Sequence, residues 1–343
     1  MKQKSGAPSL EQWGKLYEVA SVIKRQQPWL KLWDTDLFTL ILPGQQEPVF
    51  VSAMGRNGEC YGIGVYPGYH ALLGLYRLMD ASGDEGLSNP LAYQNCLMCY
   101  FGDRDELLPK DREVLKALDL KFRGKNNWVY FRLLEEGYYP WFLTAADAEL
   151  MIAALQNYTM AYQHFMSGKL KVDFEGGQTL MRFYSEEREE WLNLAAPMVP
   201  VPEMTATLTF EDELLLKRLQ KKPRQKVSLE VDILSLPVPV QEKRGERPYF
   251  PRLLVMFNRA DGALMNQRLI ERQKEKPDVV IAALIDYIEE FGKPQKLYVR
   301  DEFFLRCIES FCSQVGITAL HGRGMPCVDE FSEQLPAFMH GDE

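Results

Sequence analysis

Residues 251–320 constrain the fold of this chain more than any other segment, because apolar runs with strand and helix periods alternate there. The run PRLLVMFNRADGALMNQRLI predicts two strands joined by a tight turn. A helix over 278–291, a strand KLYVR, a helix over 302–315 and a short strand ITAL follow. We expect a mixed sheet with both helices packed against it. Helical spacing places four residues on the buried side of the 278–291 helix, namely Ile281, Leu284, Ile285 and Ile288.

This β-β-α-β-α-β order resembles the core of the RNase H-like superfamily, in particular the integrase and transposase catalytic domains. The resemblance implies an Asp at the end of the first strand, a second Asp after a later strand and a Glu on a following helix. The second position falls on Asp301 and the third on Glu333, with Asp329 and Glu330 as nearby substitutes. The first position falls on Asn258, whose neutral carboxamide cannot balance a divalent cation. The resemblance therefore implies a degenerate site.

Asp261 is the one carboxylate close enough in sequence to replace the missing first-strand Asp. It precedes Gly262, and an Asp-Gly pair is typical of a turn. We therefore expect a non-catalytic binding or interaction module without a metal or cofactor. A metal-dependent nuclease or phosphoryl-transfer enzyme remains an alternative, in which Asp301, Asp261 and either Glu333 or Glu330 would hold Mg²⁺.

The net charge of the chain is −8, but a short basic stretch interrupts the acidic background. Residues 217–226 contain no acid and six cations, which are Lys217, Arg218, Lys221, Lys222, Arg224 and Lys226. Such a stretch can neutralise phosphates, although it holds no aromatic residue that would stack on a base. Solvated charge in an exposed connector is the favoured interpretation. A nucleic-acid binder that does not cleave is the second alternative.

The remaining composition indicates a cytoplasmic protein with no membrane segment and no disulfides. No apolar run approaches the roughly 20 residues that span a bilayer, and the N-terminus lacks the apolar part of a signal peptide. Six cysteines in 343 residues are too few for a disulfide scaffold. Cys96 and Cys99 form a CxxC inside a strand-like run, without a second ligand pair nearby, so we expect reduced, metal-free thiols. The partner, whether protein or nucleic acid, is not specified.

The organisation of the chain predicts an α+β class in three parts. Residues 1–168 are predicted to form an α+β domain whose sheet is mostly antiparallel, with flanking helices that begin at capping boxes, Ser9 with Gln12 and Thr144 with Asp147. Residues 169–247 are predicted to be a β-rich middle segment and connector, with a hairpin that turns at 176–177. Residues 248–343 are the predicted RNase H-like domain.

The N-terminal half carries a second resemblance. The run EQWGKLYEVASVIKRQQPWLKLWDTDLFTLI and the later SAMGRNGECYGIGVYPG are similar to segments of uncharacterised two-domain bacterial proteins, mostly from Firmicutes. Those proteins join such a domain to a C-terminal unit like PYFPRLLVMFNRADG. The resemblance implies a bacterial cytosolic protein with this layout, and it supplies no catalytic residues.

Overall fold

The computed structural model describes residues 6–81, 91, 94–198, 200, 210, 212–243, 245–270 and 276–340. The chain divides into two compact units, each with its own sheet. The first unit contains most of the chain up to Pro200, and the second contains Gly137–Tyr139 and most of the chain from Phe210 onward. The α+β class predicted from the sequence is confirmed.

The first unit is built on a seven-stranded sheet in the order β5-β4-β3-β2-β1-β6-β7. Neighbouring strands are antiparallel except β1 and β6, so the mostly antiparallel sheet predicted for the N-terminal part is confirmed. The strands are β1 (Phe38–Ile41), β2 (Val49–Met54), β3 (Gly62–Pro67), β4 (Cys96–Gly102), β5 (Trp128–Leu134), β6 (Gln178–Ser185) and β7 (Glu190–Pro197).

Both faces of this sheet are covered by helices. Two of the helices begin at the predicted capping boxes, in which Ser9 and Thr144 each accept from the backbone three residues on. Helices α1 and α4 pack on one face together with α3, and α2 packs on the other. The helices are α1 (Leu10–Gln26), α2 (Gly68–Ala81), α3 (Pro109–Ala117) and α4 (Ala145–Met166).

The predicted hairpin turn at Gly176-Gly177 is in a different place. The hairpin joins β6 to β7, and β6 begins only at Gln178. The glycine pair instead makes a local turn, in which the Gly176 amide donates to Asp173 Oδ1 at 2.9 Å. The residues before it do not pair as a strand because their apolar side chains, Leu170, Val172 and Phe174, pack against the core of the first unit.

The second unit is built on a five-stranded mixed sheet in the order β10-β9-β8-β11-β12. Strand β8 runs parallel to β11, and β11 to β12, whereas the β8-β9 and β9-β10 pairs are antiparallel. The RNase H-like arrangement expected from the sequence is present. The strands are β8 (Ser228–Ser235), β9 (Arg252–Asn258), β10 (Leu264–Ile270), β11 (Lys296–Val299) and β12 (Thr318–His321).

In chain order β8 is the first strand of this sheet, so each later strand is one position further along the fold than the sequence predicted. The sequence predicted β8 as part of the middle segment and the first strand of the fold within 251–270, but β8 is the central strand of the sheet. The predicted middle segment therefore contributes β6 and β7 to the first sheet and β8 to the second. The domain boundaries themselves, at 168 and 247, stay predictions.

The helices of the second unit pack on both faces of its sheet. Helices α5, α6 and α7 share a core with the apolar residues of β8 on one face, and α8 packs on the other. Ile281, Leu284 and Ile288 are buried in that core and Ile285 is partly buried there, as predicted. Within the described ranges, no helix is long and apolar enough to cross a membrane. The helices are α5 (Glu213–Gln220), α6 (Lys276–Phe291), α7 (Glu302–Val315) and α8 (Pro326–His340).

Candidate functional site

The candidate site lies on the α8 face of the second sheet, where β11 ends beside the middle of β8. Because strand residues alternate between faces, Leu229 and Val231 join the core under α6 and α7, while Glu230 and Asp232 point to the α8 side. In the parallel register Val231 pairs with Val299. Asp232 and Arg300 each follow that pair by one residue, so the fold places a carboxylate beside a guanidinium.

Arg300 bridges two carboxylates that come from different elements. Its Nε donates to Asp232 Oδ2 at 3.2 Å, and its Nη2 donates to Asp329 Oδ1 on α8. The side chains of Asp232, Arg300 and Asp329 are 17%, 27% and 41% exposed. The Arg300 guanidinium therefore links the central strand β8 to α8 at the point where β11 ends.

The electrostatics of this group keep Arg300 charged. Burial raises the pKa of the Asp232 carboxyl above its ordinary value, the Arg300 charge opposes that shift, and the charge of Asp301 adds to it. Burial alone would lower the pKa of Arg300, but Asp232 and Asp329 outweigh it, so that its pKa lies above the ordinary value. The bridging cation is permanent at physiological pH.

Glu230 holds the N-terminus of α8 against the sheet by hydrogen bonds. Its side chain is fully buried, and its Oε2 accepts from the Cys327 and Val328 amides at 3.0 and 3.2 Å. A carboxylate at a helix N-terminus is stabilised by the unpaired amides and the helix dipole. Arg259 lies 3.4 Å from Glu230 Oε1 and stacks over the Tyr298 ring at 4.3 Å. Glu230 thereby holds the helix that carries Asp329.

The structure places the predicted acidic residues of the second unit in different positions, and Asp329 is the one on α8 that contacts Arg300. Asp301 directly follows Arg300 and caps α7, accepting from the Phe304 amide at 3.0 Å. Glu330 and Glu333 are exposed on α8. The carboxylate of α8 that reaches the site is therefore that of Asp329, which the sequence analysis named only as a substitute.

Asn258 and Asp261 belong to the hairpin between β9 and β10. Asn258 Oδ1 accepts from the Ala260 amide at 3.2 Å, and Asp261 Oδ1 accepts from the Ala263 amide at 3.0 Å. Asn258 ends the second strand of the unit, so it does not occupy the first-strand position assigned to it. That assignment fails because β8 lies between β9 and β11 and supplies the first strand.

The RNase H-like fold implies divalent metal ions, and the residues present do not fit them. A magnesium ion needs several carboxylate or neutral oxygen ligands free to converge on it. Here Asp232 Oδ2 and Asp329 Oδ1 are both bound by the Arg300 guanidinium. Across the ranges that the structure describes, no group of three or more His, Cys, Asp or Glu residues is arranged to hold a metal ion.

The basic stretch 217–226 is partly neutralised by its own unit. Arg218 and Lys222 both pair with Glu289 at 2.6 Å, and Lys217 pairs with Glu213 at 3.4 Å. The two contacts with Glu289 bind α5 and the turn after it to the C-terminal end of α6. The three other cations, Lys221, Arg224 and Lys226, are exposed.

The CxxC cysteines point to opposite faces of β4. Cys96 packs in the core under α2, whereas Cys99 packs in the core under α1 and α4. Burial raises the pKa of both thiols. All six cysteines of the chain are free thiols.

The sequence analysis missed four residues of the site: Glu230, Asp232, Arg259 and Arg300. A signal for two of them was present in the run SLEVDIL, where acids alternate with aliphatic residues. Two acids on one face of a strand that is otherwise apolar indicate a polar cluster on that face. Nothing in the sequence indicated that Arg300, rather than Asp301, would turn toward them.

Two family models match parts of the chain, and each describes a domain of unknown function. Residues 13–182 match the model of a domain of unknown function (DUF7309), and residues 215–336 match that of a second domain of unknown function (DUF6930). The second match begins in α5 and includes β8. No curated protein matches the chain. The predicted bacterial origin stays a prediction.

Solved structures similar to the chain include the integrase catalytic core domain of HTLV-2 in complex with magnesium, in its dimeric form, with 17% identity and a TM-score of 0.24. That match covers 34% of this chain and 70% of the other. The intasome of simian T-cell lymphotropic virus in complex with the PP2A regulatory subunit B56 gamma is similar at 13% identity and a TM-score of 0.24, over 36% of this chain and 43% of the other. At these scores the similarity is partial.

Proposed function

We propose that this protein is a non-catalytic binding or interaction module, built on an RNase H-like domain in which a side chain replaces the metal. The observation that carries the proposal is the Arg300 guanidinium between Asp232 and Asp329. Asn258 lies in the β9-β10 hairpin, outside this bridge.

The proposal follows from charge. Two-metal phosphoryl transfer places two divalent cations about 4 Å apart, which is tolerable only among several unpaired carboxylates. Asp232 and Asp329 carry two negative charges at most, and Arg300 already neutralises one of them. A divalent ion at the same oxygens would also lie beside a fixed positive charge, whose repulsion is strong in a partly buried position.

A metal-binding measurement tests the proposal directly. We expect no Mg²⁺- or Mn²⁺-dependent cleavage of DNA or RNA by the wild-type protein, and no heat of Mn²⁺ binding in calorimetric titration. Arg300→Ala should gain weak Mn²⁺ binding, because it frees the oxygens of Asp232 and Asp329, and the double variant Arg300→Ala/Asp232→Asn should lose it again. Wild-type cleavage that disappears in Asp232→Asn would show that the domain is an enzyme.

Nucleic-acid binding without cleavage is a second candidate, supported by the exposed Lys221, Arg224 and Lys226. Each phosphate contact lowers the slope of log affinity against log salt by about 0.9 for duplex DNA. Fluorescence anisotropy with a labelled duplex should give a slope of about −2.7 if each of the three cations contacts one phosphate. Replacing all three by Gln should then abolish binding, whereas Lys217→Gln should have little effect because Lys217 is paired with Glu213.

A further inference from the structure

The first unit contains a buried cation, Arg182, that pairs with no carboxylate among the residues that the structure describes. Arg182 lies in β6 and is only 7% exposed. Its Nε donates to Asn157 Oδ1 at 2.9 Å, its Nη1 donates to Asn193 Oδ1 at 3.1 Å, and its guanidinium stacks over the Trp191 ring at 4.9 Å. All of these partners are neutral.

The contrast with a second buried arginine of the same unit shows what Arg182 lacks. Arg132 forms two hydrogen bonds to the carboxylate of Asp111, at 2.9 and 2.7 Å. In the described part of the chain, no ion pair joins Arg182 to an Asp or Glu. Burial lowers the pKa of Arg182, yet a guanidinium remains charged in proteins. A buried charge without an opposite charge is costly, so a carboxylate that reached it would bind favourably.

The guanidinium is directed toward the edge of the sheet. Asn193 and Trp191, two of its three partners, belong to β7, which is the terminal strand of the seven-stranded order. Strand β7 is eight residues long and its side chains from Trp191 to Ala196 are half-buried. Among the described residues no strand pairs with its outer side, which is the side where an edge strand offers backbone N–H and C=O groups to a further strand.

We propose that β7 accepts an extended segment of a partner protein as an added strand, and that an Asp or Glu of this segment pairs with Arg182. Main-chain hydrogen bonds to an exposed sheet edge supply affinity, and side chains on alternate positions supply specificity. Adjacent strands lie about 4.8 Å apart, so a residue beside Asn193 is two spacings, roughly 10 Å, from the Arg182 backbone. Two long side chains that extend toward each other span that distance. This inference is independent of Arg300 and of the function proposed for the second unit.

Selection from a displayed library of nine-residue peptides on the full-length protein tests this proposal. We expect enriched peptides with alternating apolar residues and an Asp or Glu at one fixed position. An enriched peptide should lose about tenfold in affinity when that acid becomes Gln or when the protein carries Arg182→Gln. Arg188→Gln, in the exposed β6-β7 turn, is the matched control and should bind as the wild type does.

Two further measurements distinguish strand addition from simple attraction of an anion. The enriched peptide methylated at alternate backbone nitrogens should bind weakly, because edge pairing needs those N–H groups. Thermal melting should show that Arg182→Gln is still folded at the temperature of the binding assay, although the substitution removes the hydrogen bonds to Asn157 and Asn193. Enrichment without an acid, no enrichment at all, or full competition by acetate with no effect of methylation would each overturn the proposal.

Discussion

Arg300 and Asp232 meet at 3.2 Å across the two parallel strands at the centre of the second sheet. The contact joins neighbouring positions of β8 and β11, on the face that α8 covers. Because the same guanidinium also binds Asp329, Arg300 contacts both the central strand and the helix that covers this face.

Replacing Arg300 by Met should destabilise the second unit. Breaking a buried ion pair costs about 4 kcal/mol, and the partial exposure of these side chains lowers the expected loss to about 2 kcal/mol. Hydrogen exchange of the β8 and β11 amides measures the effect locally. Arg306→Met is the matched control, because its contact with Glu302 is exposed, and it should change exchange by less than about 0.5 kcal/mol. Equal protection in both variants would mean that the bridge adds nothing.

Asp232 should make the stability of the protein fall as pH rises above about 4. Its carboxyl has a raised pKa in the folded state, so between the unfolded and the folded pKa the folded state binds more protons. The free energy of unfolding therefore decreases with pH across that window. In urea denaturation, the stability of the wild type relative to Asp232→Asn should decline from about pH 4 upward, until the pH has passed the raised pKa of the folded state. A difference that rises with pH would mean that Arg300 dominates over burial.

Glu230→Gln should weaken the attachment of α8. The substitution removes the charge that faces the first turn of the helix and the ion pair with Arg259, and we expect a loss of about 2 kcal/mol. Glu333→Gln, on the exposed side of the same helix, should be neutral within about 0.5 kcal/mol. Proteolysis at α8 under native conditions should accelerate in the first variant and not in the second.

The Asp111-Arg132 pair should be essential to the first unit. Both side chains are buried and doubly hydrogen-bonded, so Arg132→Met leaves a buried carboxylate alone at a cost of about 4 kcal/mol. Lys121→Met breaks an exposed pair with Asp119 and should cost less than about 0.5 kcal/mol. Urea midpoints of the two variants compare the costs, and similar midpoints would contradict the assigned burial.

Native thiol labelling should distinguish the cysteines. Cys96 and Cys99 are buried with raised pKa values, so neither should react with a chromogenic disulfide reagent until the protein unfolds. Cys60 is exposed and should react first. Stoichiometric zinc that is lost on Cys99→Ser would contradict the opposite orientation of the two CxxC side chains.

The sequence predicted those parts of the fold in which local spacing and burial agree. The capping boxes at Ser9 and Thr144 and the apolar stripe from Ile281 to Ile288 are set by residues close together in the chain, and all were found. The place of β8 was not predicted, because it depends on pairing with β11 far along the sequence. The same long-range pairing decides that Arg300 reaches Asp232 while Asp301 caps α7, a choice that residue type alone does not contain.

The Arg300 bridge also bears on how this domain depends on its surroundings. A bound metal ion exchanges with the solution and can be removed by dilution, competition or a chelator, whereas the Arg300 guanidinium is covalently part of the chain. The face of the sheet that α8 covers is therefore complete as soon as β8, β11 and α8 come together. We therefore expect this face to keep its shape when a chelator is added, while high salt weakens the partly exposed ion pairs of Arg300.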